Sequence, residues 1–199
     1  MPSWIGCDTE TIGLDALEHY ETEDEKGNKW TIESSVLSIQ YFDGTTNVFV
    51  NVPKLVQKGL EMRLKERLKA LHANKETRFV FFNAVFDLRV LLAYNVFTWN
   101  AECLMLAMVT LRKGTSNAFI SLKKTAKTLL DYDMSKDVRE TFGKKEAQNG
   151  LFTREQIEYA CKDVEILAPI YYRAIKQLHA TNEQDAWVLS CKNLIGTAF

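Results

Sequence analysis

Trp4-Ile5-Gly6-Cys7-Asp8-Thr9-Glu10-Thr11 is the stretch from which the rest of the chain is read. Its apolar start predicts a core strand, and strand side chains alternate with a period of two, so Asp8 and Glu10 project from one face. Adjacent carboxylates repel each other, and a fold tolerates them when a cation or a shared proton compensates. Gly13 follows closely, which puts the pair at the carboxyl end of the strand, where open α/β sheets place their sites. A hard divalent cation such as Mg²⁺ takes a few carboxylates and keeps several waters, so it is the expected partner. A plainer reading stays open, an edge strand with one solvated face.

Working outward, residues 4–8 give the first strand, and the acidic stretch from Glu18 to Glu33 reads as a solvated loop or irregular insertion. Val36 to Phe42 and Val48 to Val52 read as two strands joined by the Asp43-Gly44 turn. Leu60, Leu64, Leu68 and Leu71 recur at helical spacing in an element that Pro53 suits as a start. Phe79 to Phe82 is a short buried strand that runs into Asn83 and a second helix. Glu102 to Leu111 reads as helix with its stop at Arg112-Lys113-Gly114, and Ser121 to Leu130 as another. Thr153-Arg154-Glu155-Gln156 matches a capping box that opens a long helix, kinked or interrupted at Pro169. An amphipathic segment from Glu183 to Ile195 closes the chain. The expected fold is α/β, with a mixed central sheet whose first three strands are antiparallel, flanked by helices.

With 199 residues the chain has room for one sizeable core and not for two ordinary domains, so residues 1–199 are expected to form one. A net charge of −1 gives no basic field, so a nucleic-acid ligand would need a local basic surface or a bound metal. Cys7, Cys103, Cys161 and Cys191 lack CxxC spacing and read as small buried hydrophobes of an intracellular, reducing compartment. No signal peptide or membrane span is expected.

Two further carboxylates stand inside apolar segments. Asp87 shares a helix face with Asn83, four residues before it, and Asp163 shares one with Tyr159. Each pair also reads as a helix surface position beside core residues. Taken with Asp8 and Glu10, they supply four carboxylates from three elements, the donor set of a two-metal phosphoryl-transfer site. A tyrosine one turn from such an aspartate can orient a water, while its ordinary pKa near 10 makes it a poor proton acceptor.

Asp8-Thr9-Glu10, Asn83-Ala84-Val85-Phe86-Asp87 and Tyr159-Ala160-Cys161-Lys162-Asp163, in that order, resemble the DEDD superfamily of 3′→5′ exonucleases in its tyrosine-bearing branch. The resemblance implies a ribonuclease H-like fold. Within the branch the chain is most similar to the proofreading domain of family A DNA polymerases. Phe152 to Val164 resembles that domain's last catalytic helix, and Ser121 to Ala126 the segment before it. The likeness covers nearly the whole chain and is weakest over residues 18–34 and 132–150. Glu102-Cys103 departs from the aspartate-threonine pair that family members often carry.

What the resemblance implies is specific. Two divalent ions, Mg²⁺ or Mn²⁺, are held by Asp8, Glu10, Asp87 and Asp163, with Asp8 shared between them and Asp87 acting mainly through waters. Tyr159 orients the attacking water. Thr9 and Glu10 meet the terminal 3′-hydroxyl, Leu14 wedges against the last bases, and Asn83 and Phe86 contact the penultimate nucleotide. Leu14 and Phe86 are also readable as core residues. Lys123, Lys124 and Lys127 either line the strand's path or form a solvated helix face.

The expected reaction is removal of nucleoside 5′-monophosphates from a single-stranded or frayed DNA 3′ end, in proofreading or repair. The chain ends where a family A polymerase would continue. It is therefore expected to be a free-standing monomer or weak homo-oligomer, a truncated piece, or the companion of a separately encoded DNA polymerase. Two alternatives stand beside this, an RNA 3′-trimming enzyme resembling ribonuclease D and a non-catalytic polymerase subunit.

Overall fold

β1, Trp4–Thr11, is the middle strand of a five-stranded sheet in a computed structural model of the chain. The structure describes residues 4–112, 120–134 and 138–197. After β1 come β2 (Tyr20–Glu23) and β3 (Lys29–Ile32), which pair only with each other. β4 (Val36–Phe42) and β5 (Asn47–Asn51) then add to one side of β1 as antiparallel neighbours. β6 (Arg78–Phe81) and β7 (Ala101–Cys103) extend the other side in parallel, giving the order β5-β4-β1-β6-β7. The mixed sheet, with its first three strands antiparallel and helices around it, is the α/β, ribonuclease H-like architecture expected.

The hairpin of β2 and β3 corrects the reading of residues 18–33 as an irregular loop. Tyr20, Thr22 and Ile32 are buried and alternate with Glu21, Glu23 and Thr31. Gly27, at φ +80°, lies in the turn between the strands. Acidic side chains on the outer face hid this period-two pattern. The hairpin is fastened to its surroundings by Gln57, whose Nε2 donates to Thr22 Oγ1 at 2.7 Å and to the Glu23 carbonyl at 3.1 Å.

The leucine-rich helix beginning near Pro53 is in fact two, α1 (Val52–Gln57) and α2 (Glu61–His72). Gly59 separates them with φ +67°, a left-handed conformation no helix continues through. α3 (Ala84–Ala93) starts directly after β6 and carries Asp87 in its first turn. Glu102 lies in β7, so the helix expected from that residue starts later, as α4 (Leu104–Leu111). Lys113 and Gly114 of the expected stop lie outside the described residues. α5 (Leu122–Leu130) is followed by a 3-10 turn, Arg139–Gly143, and the short α6 (Lys145–Gln148).

α7 (Arg154–Glu165) opens on the expected capping box, with Thr153 and Gln156 satisfying each other's backbone N–H groups. The helix ends at Ile166, and α8 (Leu167–Ala180) begins anew. The helix is thus interrupted just ahead of Pro169, one of the two outcomes expected, and is not kinked through it. Pro169 sits in the first turn of α8, where a backbone N–H has no intrahelical acceptor to lose. α9 (Gln184–Thr197) packs against α4 and β7, with Trp187 Nε1 donating to the Cys103 carbonyl at 3.0 Å. Cys7, Cys103 and Cys191 are buried, Cys161 is partly exposed, and all four thiols are free. No helix among the described residues is long and apolar enough to cross a membrane.

The α7–α8 junction lies directly on β1 because Gly6 has no side chain. A Cβ there would stand 3.1 Å from the Val164 carbonyl oxygen and 3.6 Å from Leu167 Cδ1. Gly6→Ala should therefore push α7 off the strand and cost about 1–3 kcal/mol of stability. Denaturant unfolding measures this, and an unchanged midpoint would show that the contact is not tight.

Candidate active site

Asp8 and Glu10 point from β1 toward α7, and Asp163 comes down from α7 to meet them. One carboxylate oxygen from each can be chosen so that all lie within 4.8 Å of one another. Glu10 and Asp163 are buried and Asp8 is half-buried. Across β4, Gln40 and Ser38 stand in register with Asp8 and Glu10, and Gln40 Nε2 donates to Ser38 Oγ at 2.6 Å. The floor beside the acids is thus neutral and polar.

Electrostatically the cluster is under strain. Burial raises the proton affinity of Asp8, Glu10 and Asp163, and mutual repulsion adds to it for Glu10 and Asp163. Asp163 Oδ1 is buried without a hydrogen-bond partner. A buried, unpartnered carboxylate oxygen facing two more carboxylates is the donor set a hard divalent cation requires. The residues therefore fit the pair of Mg²⁺ or Mn²⁺ ions expected from the sequence.

Asp87 is placed differently. It is buried at the start of α3 and accepts a hydrogen bond from Thr9 Oγ1 at 2.7 Å. Burial and then the charge of Asp8 push its carboxyl well above the usual range. It thus neighbours Asp8 without joining the trio. The Thr9 hydroxyl, expected to meet substrate, is engaged by Asp87, which leaves the Thr9 backbone for that contact. Leu14 is 88% exposed beyond the end of β1, the opposite of a core position. Asn83 is exposed at the start of α3 with a side chain that caps nothing, and Phe86 is half-buried against the core. Lys127 is bound to Asp131 at 2.7 Å and Asp133 at 2.9 Å, which favours the solvated-face reading for its ammonium.

Tyr159 is half-buried, one turn before Asp163. Burial, then the charges of Asp163 and Glu10, hold its hydroxyl far above the ordinary phenol range, so it is a hydrogen-bond donor and never a base at neutral pH.

Arg139 was not legible in the sequence. It lies in a polar stretch without periodicity, and only the fold brings its charge to the acids, where it lowers the proton affinity of Asp8, Glu10 and Asp163. Its 3-10 turn is clamped to α7: Gln156 Nε2 donates to Thr141 Oγ1 at 3.0 Å and to the Thr141 carbonyl at 3.1 Å. Phe142 packs 6.2 Å from the Tyr159 ring. A residue that caps α7 therefore also ties down the turn that carries Arg139.

These groups define a stability profile. Asp8, raised from 3.8 to about 6, and Asp163, raised from 3.8 to about 8, favour the fold when protonated. That contribution is complete below pH 3.8 and is lost as pH rises through about 6 and about 8. His72 has the opposite sign. Its ring is buried between the Tyr41 hydroxyl at 2.9 Å and Thr98 Oγ1 at 2.8 Å. Burial lowers its pKa from 6.5 to about 4, so its contribution is present above pH 6.5 and is lost as pH falls toward 4. That shift corresponds to about 3 kcal/mol. In chelator, the melting temperature should rise as pH falls from 8 to 6.5 and keep rising toward pH 5, because Asp8 joins Asp163 there and together they outweigh His72. Mg²⁺ should raise it more at pH 8 than at pH 6. A chelated protein that melts higher at pH 8 than at pH 6.5 would contradict the profile.

A carboxylate trio at the carboxyl end of the central strand of a ribonuclease H-like sheet defines a metal-dependent phosphodiester hydrolase. A profile of the 3′-5′ exonuclease family matches residues 3–179, and the chain belongs to that family. With its DEDD motif residues it is a metal-dependent DEDD-type 3′-5′ exonuclease. Among solved structures it is similar to NrnC of Brucella melitensis, with a TM-score of 0.70 at 20% identity over 98% of this chain and 83% of that one. RNase D of Escherichia coli gives 0.69 at 18% identity, covering 98% of this chain and 45% of that one. The catalytic core of RRP6 from Trypanosoma brucei gives 0.68 at 16% identity, covering 97% and 46%. No curated protein matches.

Proposed function

We propose that this protein trims single-stranded RNA from its 3′ end and releases nucleoside 5′-monophosphates. The convergence of Asp8, Glu10 and Asp163 carries the hydrolytic part of the reading. Support for RNA comes from the proteins that share the fold: RNase D of Escherichia coli is described as an exoribonuclease involved in structured RNA processing, and NrnC has been solved bound to pGG. The earlier expectation of a DNA substrate and a DNA polymerase partner becomes the second reading. It rests on the resemblance of residues 121–126 and 152–164 to a proofreading domain.

In this reading Asp8, Glu10, Asp87 and Asp163 would together hold the two divalent ions, Asp87 mainly through waters. Such ions polarise the phosphoryl oxygens and make hydroxide accessible at neutral pH. The Tyr159 hydroxyl orients the attacking water toward phosphorus. Arg139 offsets negative charge as the phosphate approaches the acids. The Thr9-Glu10 backbone receives the terminal ribose, the exposed Leu14 presses on the last base, and Asn83 and Phe86 touch the nucleotide before it.

The test is a degradation ladder on 5′-labelled RNA and DNA of identical sequence, in Mg²⁺ and in excess chelator. The 2′-hydroxyl is the only systematic difference between the two strands apart from the thymine methyl. Stepwise shortening, at least tenfold faster on RNA and absent in chelator, is expected. Equal or faster loss of DNA would transfer the assignment to the second reading, and internal cuts would overturn exonuclease action.

A further inference from the structure

The sheet ends differently at its two edges. β7 is three residues long, carries Glu102 and is packed by α9. β5 forms the other edge with Asn47-Val48-Phe49-Val50-Asn51, a run without charge or proline. Its register with β4 is unbroken from Phe42–Asn47 to Ser38–Asn51, so no bulge bends it away. Lysine, proline and bulges are the usual guards of an open edge, and β5 has none of them. Among the described residues, the backbone from Asn47 to Val50 bonds to β4 and to no other element. The outer row of N–H and C=O groups is therefore a template for one more strand.

The five residues read the same in both directions. Two antiparallel copies paired about Phe49 set Asn47 opposite Asn51 and Val48 opposite Val50, twice over, through a two-fold axis normal to the sheet. On the face toward α2 the valines meet. Val48 is 48% exposed, and with Val50, Leu55, Leu60 and Leu64 it lines an apolar trough. On the other face the two Phe49 rings meet, each already 5.1 Å from its own Phe152.

The two ends of β5 differ in charge. At the Asn47 end, Glu165 accepts from the Asn47 side chain and pairs with Lys162, and Asp43 lies in the turn just before, which leaves this end net acidic. At the Asn51 end, Asn51 caps Lys54, whose ammonium is 4.0 Å from Glu25, and Lys58 follows α1, which leaves this end net basic. A two-fold axis brings each acidic end to a basic one.

We propose that β5 is the contact between two copies of this chain, which join their five-stranded sheets edge to edge. The symmetry keeps the faces aligned. Asp8, Gln40 and Phe49 stand in one row across each sheet, and the two rows meet at the axis. Both carboxylate clusters then open on the same side, five strand spacings or about 24 Å apart. An edge of five residues is small for an obligate dimer, so the association is reversible. It holds whichever nucleic acid is the substrate.

Sedimentation equilibrium of the full chain over a concentration series tests the proposal. A monomer–dimer equilibrium is expected, weakened at least tenfold by Val48→Lys, which sets an ammonium against Val50 of the second copy. Disulfide trapping reads the register. Phe49→Cys falls on the axis and should crosslink to itself under mild oxidation at least tenfold faster than the parent chain. Val48→Cys and Val50→Cys chains should crosslink when mixed and not when alone, an arm that stands if Phe49→Cys misfolds. A dimer indifferent to Val48→Lys, or one in which Val48→Cys crosslinks alone as fast as in the mixture, overturns the proposal. So does a chain that stays monomeric up to about 0.5 mM, which would leave the edge to a strand of another protein. No arm measures hydrolysis, so none bears on the exonuclease reading.

Discussion

Asp8→Asn should abolish hydrolysis while making the metal-free protein more stable. The rate should fall at least a thousandfold, which corresponds to about 4 kcal/mol of lost transition-state stabilisation. Asp8 is the carboxylate that faces both Glu10 and Asp163 on one side and Asp87 on the other, as their raised proton affinities show. An amide keeps the shape and removes the charge that both cation positions share. The same change relieves repulsion among the three clustered acids, so melting in chelator should move up by several degrees. Mg²⁺ should no longer raise it. A variant that keeps its rate, or one that melts below the parent chain in chelator, contradicts the assignment of Asp8.

Tyr159→Phe should separate orientation from metal binding. The expected loss is about 10- to 100-fold in kcat, roughly 1.4–2.7 kcal/mol. The phenol is a fixed donor, because burial and the neighbouring acids keep it protonated. Removing it should therefore leave the shape of the pH–rate profile unchanged, and the Mg²⁺-induced rise in melting temperature should persist. Near-parental rates would remove Tyr159 from the reaction, whereas loss of the Mg²⁺ effect would make it part of the metal site.

The contrast between the catalytic strand and the hairpin after it shows what a sequence makes legible. In β1 the apolar start, the one-residue spacing of Asp8 and Glu10 and the following glycine all point one way. β2 and β3 carry an alternating pattern of the same kind, yet Glu21, Glu23 and Lys29 on the outer face made it read as solvated loop. Lys29 and Glu21 in fact pair across the hairpin at 3.2 Å. Asp87 and Asp163 were legible because a carboxylate inside an apolar helix segment needs a reason.

Arg139 was not legible, since no local pattern distinguishes one exposed arginine in a mixed-charge stretch. Its place depends on Gln156, read only as a cap, also gripping Thr141. The helix expected from Glu102 onward failed because its first residues pair with β6, and a three-residue strand at a sheet edge leaves almost no periodic trace.

The most direct measurement is anomalous diffraction from crystals of the chain grown with Mn²⁺. The account predicts two manganese peaks about 3.5–4 Å apart, one bounded by Asp8, Glu10 and Asp163 and the other between Asp8 and Asp87. Density for manganese elsewhere only, or none with the three carboxylates turned apart, would contradict it.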